Sequence, residues 1–471
     1  MDNRDHFMAI DLSTTACKVL IFNFSGDVVA ETYRQVPLFQ PRPGWIEADA
    51  NDWWRITAES IHDALARLKP SYRIACIGMC GLMHAMTPVD RSGMALDRVM
   101  LWMDQRCKPQ SEWLEENIFA GRRGTTYVSA PKLRWIVENR PEIVDKTYKF
   151  LFGKDYIRLK LTGEYATDES DAGGSALFDG REKQWMFDVI RKIGISEDKM
   201  PNIRQSDEIA GYIRKVASEE TGLEEGTPVV IGASDVRGTC MGVNAYTPGR
   251  TCVYMGTAAW ATTCHQQGSL DWLGATTTWG ASLSWCRDLF DGSMSYNSMI
   301  EQAKKVPPGS DGLIFFPHLM GKRWQRSVPD ARGVLFGLTL MHHKEHVIRA
   351  VLEGNAYLLR HIIDSYGSDC IGDIVATGGG ARSTLWLQII ASVIKKGVFL
   401  PKVIEATALG AAMLAAKGIG VFRTLEEAME QWVEIRHCCA PEDEAIEEYD
   451  QLYKLYRKLD RELDKLYSCN S

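Results

Sequence analysis

An apolar strand pattern that runs into a turn of small residues occurs in both halves of this chain. Residues 7–10 lead into the turn 13–16, and residues 251–254 lead into the turn 256–258. Alternating strand and helix patterns follow each of these two passages. The repetition predicts an α/β protein made of two similar halves that join near residue 245.

The length of the chain fits this division, because 471 residues exceed what one hydrophobic core usually supports. We expect an N-terminal domain at residues 1–245 and a C-terminal domain at residues 246–471. The last helical pattern, residues 442–467, has one apolar face among charged positions, formed by Tyr449, Leu452, Leu455, Tyr456, Leu459 and Leu463. We expect this helix to dock on the body of the protein rather than to pair with a partner chain.

Composition excludes several classes of protein. Hydrophobic residues make up 45% of the chain and charged residues 24%, which is typical of a globular protein. The net charge of −7 argues against nucleic acid as a partner, since the sequence has no basic stripe to neutralise its phosphates, but local donors could still bind a small anionic substrate. The longest apolar stretch, residues 406–422, contains Lys417 and is too short to cross a membrane. No export signal opens the sequence, so we expect a cytoplasmic protein.

The cysteines do not form a metal-binding pattern. There are 12 of them, scattered along the chain, and none is arranged as C-x-x-C. Structural zinc sites need closely spaced pairs of ligands. We therefore expect free, buried thiols.

Three turns of small residues, at 13–16, 256–258 and 378–381, follow apolar strands. Small side chains let backbone N–H groups approach an anion, and threonine hydroxyls add donors. Lys18 follows the first turn and could add a positive charge there. Ordinary hairpin chemistry is the alternative for any single turn. The three together predict a nucleotide phosphate site, and because the Rossmann and Walker patterns are absent, ATP would bind through another architecture.

Two aspartates are candidates for chemistry on a phosphoryl group. Asp11 lies beside the first turn, where a carboxylate could hold Mg²⁺; the alternative is a solvated residue at a strand end. Asp235 follows the apolar strand 228–231 and a turn predicted at 232–234, and it opens a helix of small residues. A carboxylate there suits a general base, although N-capping of the helix is the alternative.

A candidate sugar site follows the predicted strand 74–79. Met83 could pack against a carbon face and His84 could hydrogen-bond a hydroxyl, while a core histidine is the alternative. Further on we expect Trp102 to be a packing residue and Asp104 to pair with Arg106.

These motifs together resemble the FGGY carbohydrate kinases, and among them the pattern is most similar to the xylulokinases. The matching stretches occur in the family order from residue 10 to about 420: IDLSTT at 10–15 with Lys18, PGWIEAD at 43–49, WW at 53–54, MH at 83–84, residues 101–106, GASD at 232–235, PDARG at 329–333, GLT at 337–339, RAVLEG at 349–354, GGGARS at 378–383, LW at 385–386 and ALGAA at 408–412.

The resemblance implies two actin-like (RNase H-like) α/β domains with the active site in the cleft between them. It implies that Asp235 is the catalytic base, that Met83 and His84 contact the sugar, and that Asp11 serves Mg²⁺. It also implies an ATP site lined by Thr14, Thr15, Thr257, Gly379 and Gly380, and a possible homodimer.

The chain departs from the family pattern at three positions. Ser13 stands where the family usually has glycine. Val236 and Arg237 follow the catalytic aspartate where the family commonly has asparagine or glutamine with small residues, and Arg237 could bind a substrate carboxylate. Lys322 stands where the family usually has glutamate. Two alternatives are open: the lysine alters the ATP-binding side of the site, or it changes only the surface.

We therefore predict an ATP- and Mg²⁺-dependent kinase for a sugar hydroxyl, most simply that of a ketopentose such as xylulose. One alternative is a kinase for another polyol or for an aldonic acid such as gluconate, which Arg237 favours. A second alternative is a sugar-binding regulator that has lost turnover.

Overall fold

A computed structural model describes residues 5–119, 125–290, 292–323, 328, 331–367 and 371–468. Pro329 and Asp330, which belong to one of the family motifs, lie outside these residues. Internal contacts divide the chain into two units. The first consists of Met1–Gly242 and Thr407–Trp432, and the second of Val243–Ala406 and Val433–Ser471.

The part of the first unit that precedes residue 243 alternates strands with helices. Its strands are β1 (Asp5–Leu12), β2 (Ala16–Phe22), β3 (Val28–Gln35), β4 (Glu47–Ala48), β5 (Arg73–Gly81), β6 (Thr87–Val89), β7 (Val99–Met100), β8 (Lys149–Leu151), β9 (Ala166–Asp168), β10 (Phe178–Asp179), β11 (Gln184–Trp185), β12 (Asn202–Arg204), β13 (Ile209–Tyr212), β14 (Pro228–Val230) and β15 (Ala233–Ser234). Its helices are α1 (Ala50–Ala66), α2 (Lys108–Asn117), α3 (Ser129–Asn139), α4 (Pro141–Lys146), α5 (Gly153–Thr162), α6 (Glu169–Gly174), α7 (Phe187–Ile193), α8 (Lys215–Thr221) and α9 (Asp235–Gly242).

The main sheet of the first unit has the order β13-β14-β5-β1-β2-β3, with β15 also pairing with β5. β1, β2 and β3 form an antiparallel meander, whereas β1 and β5 are parallel. The turn between β2 and β3 closes because the Asn23 side chain accepts hydrogen bonds from the backbone N–H groups of Ser25 and Asp27, each at 2.9 Å. This side chain replaces backbone partners at the turn.

The second unit continues with strands and helices up to residue 406. Its strands are β16 (Thr251–Met255), β17 (Ala259–Thr263), β18 (Asp271–Ala275), β19 (Ile314–Phe316), β20 (Val334–Phe336), β21 (Ile374–Thr377) and β22 (Val398–Pro401), and its helices are α10 (Gly280–Phe290), α11 (Tyr296–Ala303), α12 (Lys344–Tyr366) and α13 (Thr384–Ile394). The chain then forms α14 (Ala406–Gly418), α15 (Leu425–Trp432), β23 (Ile435–Cys439) and α16 (Asp443–Ser468).

The sheet of the second unit repeats the topology of the first. Its order is β18-β17-β16-β21-β22-β23, with β16 antiparallel to β17, β17 antiparallel to β18, and β16 parallel to β21. In both units an antiparallel meander of three strands is extended, beyond its first strand, by parallel partners and one antiparallel edge strand. The duplication that the sequence indicated is therefore present in the strand order, and it is the RNase H-like arrangement that the resemblance implied.

Helices α14 and α15 pack on the first unit although they follow most of the second unit in sequence. A Cβ atom added to Gly78 of β5 would lie 1.8 Å from the backbone oxygen of Ala411 in α14. The indole N–H of Trp432 donates to the backbone oxygen of Phe24 at 3.1 Å, and its ring lies 5.6 Å from that of Phe7. The first unit therefore contains a segment from beyond the boundary predicted near residue 245. Glycines make this possible, because they let α14 and α15 approach the first sheet closely.

The C-terminal helix docks as predicted. Tyr449, Leu452 and Tyr456 of α16 are buried in the core of the second unit, where the Tyr456 ring stacks on Phe316 with centroids 4.5 Å apart. Leu455, which the pattern assigned to the same face, is 36% exposed. The amphipathic pattern therefore predicted the docking but placed one residue on the wrong side.

The described residues also bear on the expectations about cysteines, metals and membranes. All described cysteines are free thiols, and all except Cys438 are buried. Within the described ranges no three histidine, cysteine, aspartate or glutamate side chains are grouped as ligands of a metal ion. In the same part of the chain no helix has the length and apolar character needed to cross a bilayer.

Candidate active site

Asp11 and the start of α9 lie at one edge of the first sheet. β1 and β15 both run parallel to β5, with Asp11 opposite Cys80 and Cys80 opposite Ala233. Neighbouring strands are about 4.8 Å apart, so the ends of β1 and β15 are separated by about 10 Å. In open α/β sheets this carboxyl edge is where ligands usually bind.

The pKa of the Cys80 thiol responds to the charged groups at this edge. Burial raises the pKa of Cys80 well above its ordinary value, and the carboxylates of Asp11, Asp168 and Asp235 raise it further, while Lys154 opposes them. A thiolate is disfavoured wherever negative charge lies near. Three carboxylates therefore lie close enough to Cys80 to act on its ionisation.

Asp235 is the first residue of α9 and is half-buried. Ser234 makes the capping hydrogen bond, because its hydroxyl accepts the backbone N–H of Arg237 at 3.3 Å. Asp235 Oδ1 accepts the N–H of the adjacent Val236 at 2.8 Å. The capping role that was the alternative for Asp235 thus belongs to Ser234.

The prediction of a turn at residues 232–234 is wrong. Ala233 and Ser234 form β15 and pair with β5, and the chain bends only at Gly232, where φ is +85°. A Cβ atom at Gly232 would lie 2.4 Å from the backbone oxygen of Met79. Glycine is needed here for both reasons, and it brings β15 against β5 directly before Asp235.

Met83 and His84 follow β5 at the same edge and are half-buried. His84 has a φ of +69°, a left-handed conformation that is rare for a residue with a side chain. Its backbone oxygen accepts a hydrogen bond from Lys132 Nζ at 3.3 Å, and the same Nζ donates to the backbone oxygen of Tyr127 at 2.8 Å. Backbone strain that the surroundings maintain often marks a ligand site.

Helix α6 approaches these two side chains through Gly174. A Cβ atom there would lie 2.2 Å from Met83 Cε and 3.0 Å from His84 Cε1. Neither Gly174 nor Lys132 was recognised from the sequence. The paired glycines at 173 and 174 were the available signal, since glycine inside a helix often indicates close packing.

The first small-residue turn joins the same edge. Lys18 lies opposite Asp11 in the register of β1 and β2, with Nζ 4.0 Å from Oδ2. Thr14 Oγ1 accepts the indole N–H of Trp102 at 3.0 Å, so this tryptophan, expected to be a packing residue, also makes a polar contact. Ser13 closes the turn, because its hydroxyl donates to the backbone oxygen of Ala16 at 2.9 Å.

The carboxylate of Asp11 is chemically suited to be a ligand of Mg²⁺. Its carboxylate is almost fully buried at a strand end, and Mg²⁺ in phosphoryl-transfer sites usually takes one or two carboxylates together with phosphates and waters.

In the second unit the two other small-residue turns lie side by side. β16 and β21 are parallel with Tyr254 opposite Thr377, so the turn at Thr257 and the turn at 378–380 share one edge of the sheet. A Cβ atom at Gly380 would lie 3.0 Å from Met255 Cβ, whereas one at Gly379 would meet nothing within 4 Å. The backbone at Gly379 is thus open to a ligand, which fits a nucleotide phosphate.

Thr257 also fixes the start of α10. Its backbone oxygen accepts the N–H groups of Trp279 at 2.8 Å and Ala281 at 3.1 Å. The turn is thereby tied to a helix N-terminus, the end of a helix at which anions are favoured.

The two remaining departures from the family pattern have different environments. Lys322 is buried, and its Nζ lies 2.8 Å from Asp460 Oδ2 and 2.9 Å from Asp464 Oδ2 on α16. It is therefore not a surface residue, but holds the C-terminal helix through ion pairs. Arg237 is half-buried, and among the described residues no carboxylate lies within ion-pair distance of its guanidinium group. The predicted pair between Asp104 and Arg106 is present, with Oδ2 and Nη2 at 2.7 Å.

Comparison with known proteins agrees with this architecture. Residues 6–242 match the N-terminal domain model of the FGGY family of carbohydrate kinases, and residues 235–419 match the C-terminal domain model. The xylulose kinase of Bacillus subtilis is 30% identical over 480 residues, covering 96% of each chain. The gluconokinase of the same organism is 29% identical over 98% of this chain and 97% of its own.

A solved structure gives the same result for the fold. Ligand-bound xylulose kinase from Lactobacillus acidophilus superposes with a TM-score of 0.86 at 24% identity, covering 99% of this chain and 100% of that one. The chain therefore belongs to the FGGY family of carbohydrate kinases, enzymes that use ATP to phosphorylate sugars.

Proposed function

We propose that this kinase phosphorylates a hydroxyl group of a ketopentose, with xylulose as the first candidate, and that Asp235 is the general base. The observation that carries the proposal is the common strand edge of β1, β5 and β15, where Asp11 lies near the end of β1, the pair Met83–His84 follows β5 and Asp235 follows β15. The similarity to the B. subtilis xylulose kinase supports the choice of sugar.

Each side chain at this edge has a proposed role. Asp235 accepts the proton of the attacking hydroxyl, a contribution typically worth about 10²–10⁴-fold in rate. His84 hydrogen-bonds another hydroxyl of the sugar through its ring, and Met83 packs against the carbon skeleton. The hydrogen bond from Lys132 Nζ to the backbone oxygen of His84 supports the left-handed backbone from which that ring projects.

The nucleotide is proposed to bind at the small-residue turns. Its phosphates meet backbone N–H groups, hydroxyls and one cation, supplied by Thr14, Thr15, Lys18, Thr257, Gly379 and Gly380. Asp11 is the proposed ligand of Mg²⁺, which neutralises phosphate charge when bound. Positioning and charge neutralisation of this kind provide most of the catalysis in phosphoryl transfer generally.

The test is Asp235→Asn in the full-length protein, assayed with xylulose and Mg-ATP by coupled ADP detection. We expect kcat to fall at least about 100-fold while both ligands still bind, because the amide keeps the shape of the carboxylate but cannot accept the proton. Asp188→Asn is the matched control, since that aspartate lies in the same unit with a side chain 86% exposed. Near-normal turnover of Asp235→Asn would remove Asp235 from the mechanism.

A second candidate substrate is an aldonic acid such as gluconate. Arg237 favours it, because a half-buried guanidinium group with no carboxylate partner among the described residues, two positions after Asp235, could pair with a substrate carboxylate. A panel of ketoses, polyols and aldonates separates the two. If gluconate has the higher kcat/KM and Arg237→Gln removes that preference, the ketopentose proposal is replaced by this one.

A further inference from the structure

A buried cluster of charges lies beneath the edge that carries Asp235. Lys154 Nζ lies 2.7 Å from Asp155 Oδ1, 2.9 Å from Asp168 Oδ1 and 2.8 Å from Asp171 Oδ2, and all four side chains are at most 1% exposed. Burying charges is costly even when they are paired, so such a cluster is weak evidence of stability by itself. Its location suggests another use.

The cluster abuts the end of β5. A Cβ atom at Gly81 would lie 2.8 Å from the Cβ atom of Lys154. Gly81 is the register partner of Ser234 in β15, and Ser234 directly precedes Asp235. The charges are therefore adjacent to the strand ends that carry the proposed base.

A hydrogen-bonded path leads from the cluster to that strand. Asp168 Oδ2 accepts the backbone N–H of Ser170 at 2.8 Å and also the Ser170 hydroxyl. The oxygen of the same hydroxyl accepts the backbone N–H of Ser234 at 2.9 Å. The path runs from Lys154 through Asp168 and Ser170 to the residue before Asp235.

The direction of these hydrogen bonds is fixed by the ionisation of Asp168. Burial acts to raise the pKa of Asp168, but the charge of Lys154 and the hydrogen bonds from Ser170 outweigh it and hold that pKa below its ordinary value. An ionised carboxylate only accepts hydrogen bonds. The Ser170 hydroxyl must therefore donate to Asp168, which leaves its lone pair directed at the N–H of Ser234.

We propose that Ser170 is a positioning residue for Asp235: its hydroxyl, oriented by Asp168 and Lys154, fixes the backbone of β15 and thereby the direction in which the Asp235 carboxylate points. A displacement of about 1 Å at a reacting group can cost about 10²-fold in rate. This inference rests on the proposed role of Asp235 as general base.

The chain offers a matched control. Ser206 Oγ also donates to Asp168 Oδ2, at 3.1 Å, but no side-chain hydrogen bond joins it to β15 among the described residues. Ser170→Ala and Ser206→Ala thus each remove one hydroxyl from the same carboxylate. Only the first removes the acceptor of the Ser234 N–H.

The experiment compares steady-state kinetics of Ser170→Ala, Ser170→Thr, Ser206→Ala and Asp235→Asn as full-length proteins. We expect Ser170→Ala to lower kcat about 10- to 100-fold with KM for sugar and Mg-ATP changed less than about threefold. Ser170→Thr, which keeps the hydroxyl, should recover most of the loss, and Ser206→Ala should stay within about threefold of the parent.

Three results would overturn the inference. They are equal kcat for Ser170→Ala and Ser206→Ala, a loss confined to the sugar KM, and no recovery by Ser170→Thr. Asp235→Asn separates this inference from the proposed function. If Asp235→Asn keeps turnover, the proposed function fails, whereas if it is inactive and the two serine variants are alike, only the positioning role of Ser170 fails.

Discussion

Replacement of Lys322 by methionine is expected to loosen the C-terminal helix α16. Lys322 and Asp460 are both buried, with Nζ 2.8 Å from Oδ2. Removing one member of a buried ion pair leaves the other charge uncompensated and costs about 3–5 kcal/mol. Asp464, with a side chain 32% exposed, adds little to this free-energy cost, because solvent screens its pairing with Lys322.

We expect the lower end of that range. His318 Nε2 and His361 Nδ1 lie 3.5 and 3.7 Å from carboxylate oxygens of Asp460. If Lys322 is removed, a ring N–H of either imidazole lies close enough to donate a hydrogen bond to the Asp460 carboxylate and offset part of the loss. The expected loss at pH 7 is therefore about 3 kcal/mol for the opening of α16.

Hydrogen exchange of the full-length protein, followed by mass spectrometry on peptides from residues 443–468, measures this opening. A loss of about 3 kcal/mol corresponds to roughly 100-fold faster exchange in α16. Lys465→Met is the matched control, because Lys465 lies on the same helix, is 69% exposed and pairs with Glu462. An exposed pair of this kind should change exchange about twofold at most.

Exchange in Lys322→Met that stays within about threefold of the parent at pH 7 would refute the reasoning, because the buried ion pair would then not hold the helix. Equal acceleration in both lysine variants would refute it too, since burial would then make no difference. A third test is Lys322→Glu. It places a third carboxylate beside Asp460 and Asp464 and should accelerate exchange more than methionine does.

The remaining predictions concern close packing and pH. Gly174→Ala should raise the KM for sugar at least about tenfold, because its Cβ would meet Met83 Cε at 2.2 Å. Gly173→Ala is the control and should leave that KM nearly unchanged, because its Cβ would meet nothing closer than 3.9 Å. Equal effects of the two variants on KM would place α6 away from the sugar. Burial, with help from neighbouring positive charges, lowers the pKa of His361 to about 4, so the unfolded protein takes up a proton first as pH falls below 6.5. Stability should therefore decrease by about 2 kcal/mol between pH 7 and pH 5, and urea midpoints of His361→Leu should lose this part of the pH dependence. Gly78→Ala should destabilise the first unit by at least about 2 kcal/mol, since its Cβ would lie 1.8 Å from a backbone oxygen of α14; an unchanged thermal midpoint would contradict that packing.

Local sequence patterns predicted the strands and helices of this fold better than they predicted which strands pair with one another. Strands β1 and β16 and the small-residue turns that follow them could be predicted from the sequence, because each depends on an apolar pattern and turn residues close in the chain. The short strand β15 could not, since small residues after Gly232 look like a turn until β5 is placed beside them. Its existence depends on a partner more than 150 residues earlier.

The same distinction applies to polar residues. Asp104 and Arg106 could be paired from the sequence because they are two positions apart. Lys322 and Asp460 are separated by 138 positions, and nothing local to either residue indicates the other. Lys154 was missed for a related reason, since a lysine among aspartates reads as a solvated helix face until burial is known. The family motifs supplied the candidate site residues, but not the contacts beneath them.

The order in which the chain visits its two units has a consequence for biosynthesis. It leaves the first unit after Gly242, returns at Thr407 and leaves again after Trp432. Ribosomes release a protein from its N-terminus, so the side of β5 and β14 that receives α14 stays uncovered until more than 400 residues have been made. Because α16 is needed to complete the other core, neither unit can finish folding early, and nascent chains stalled before residue 407 should depend on chaperones.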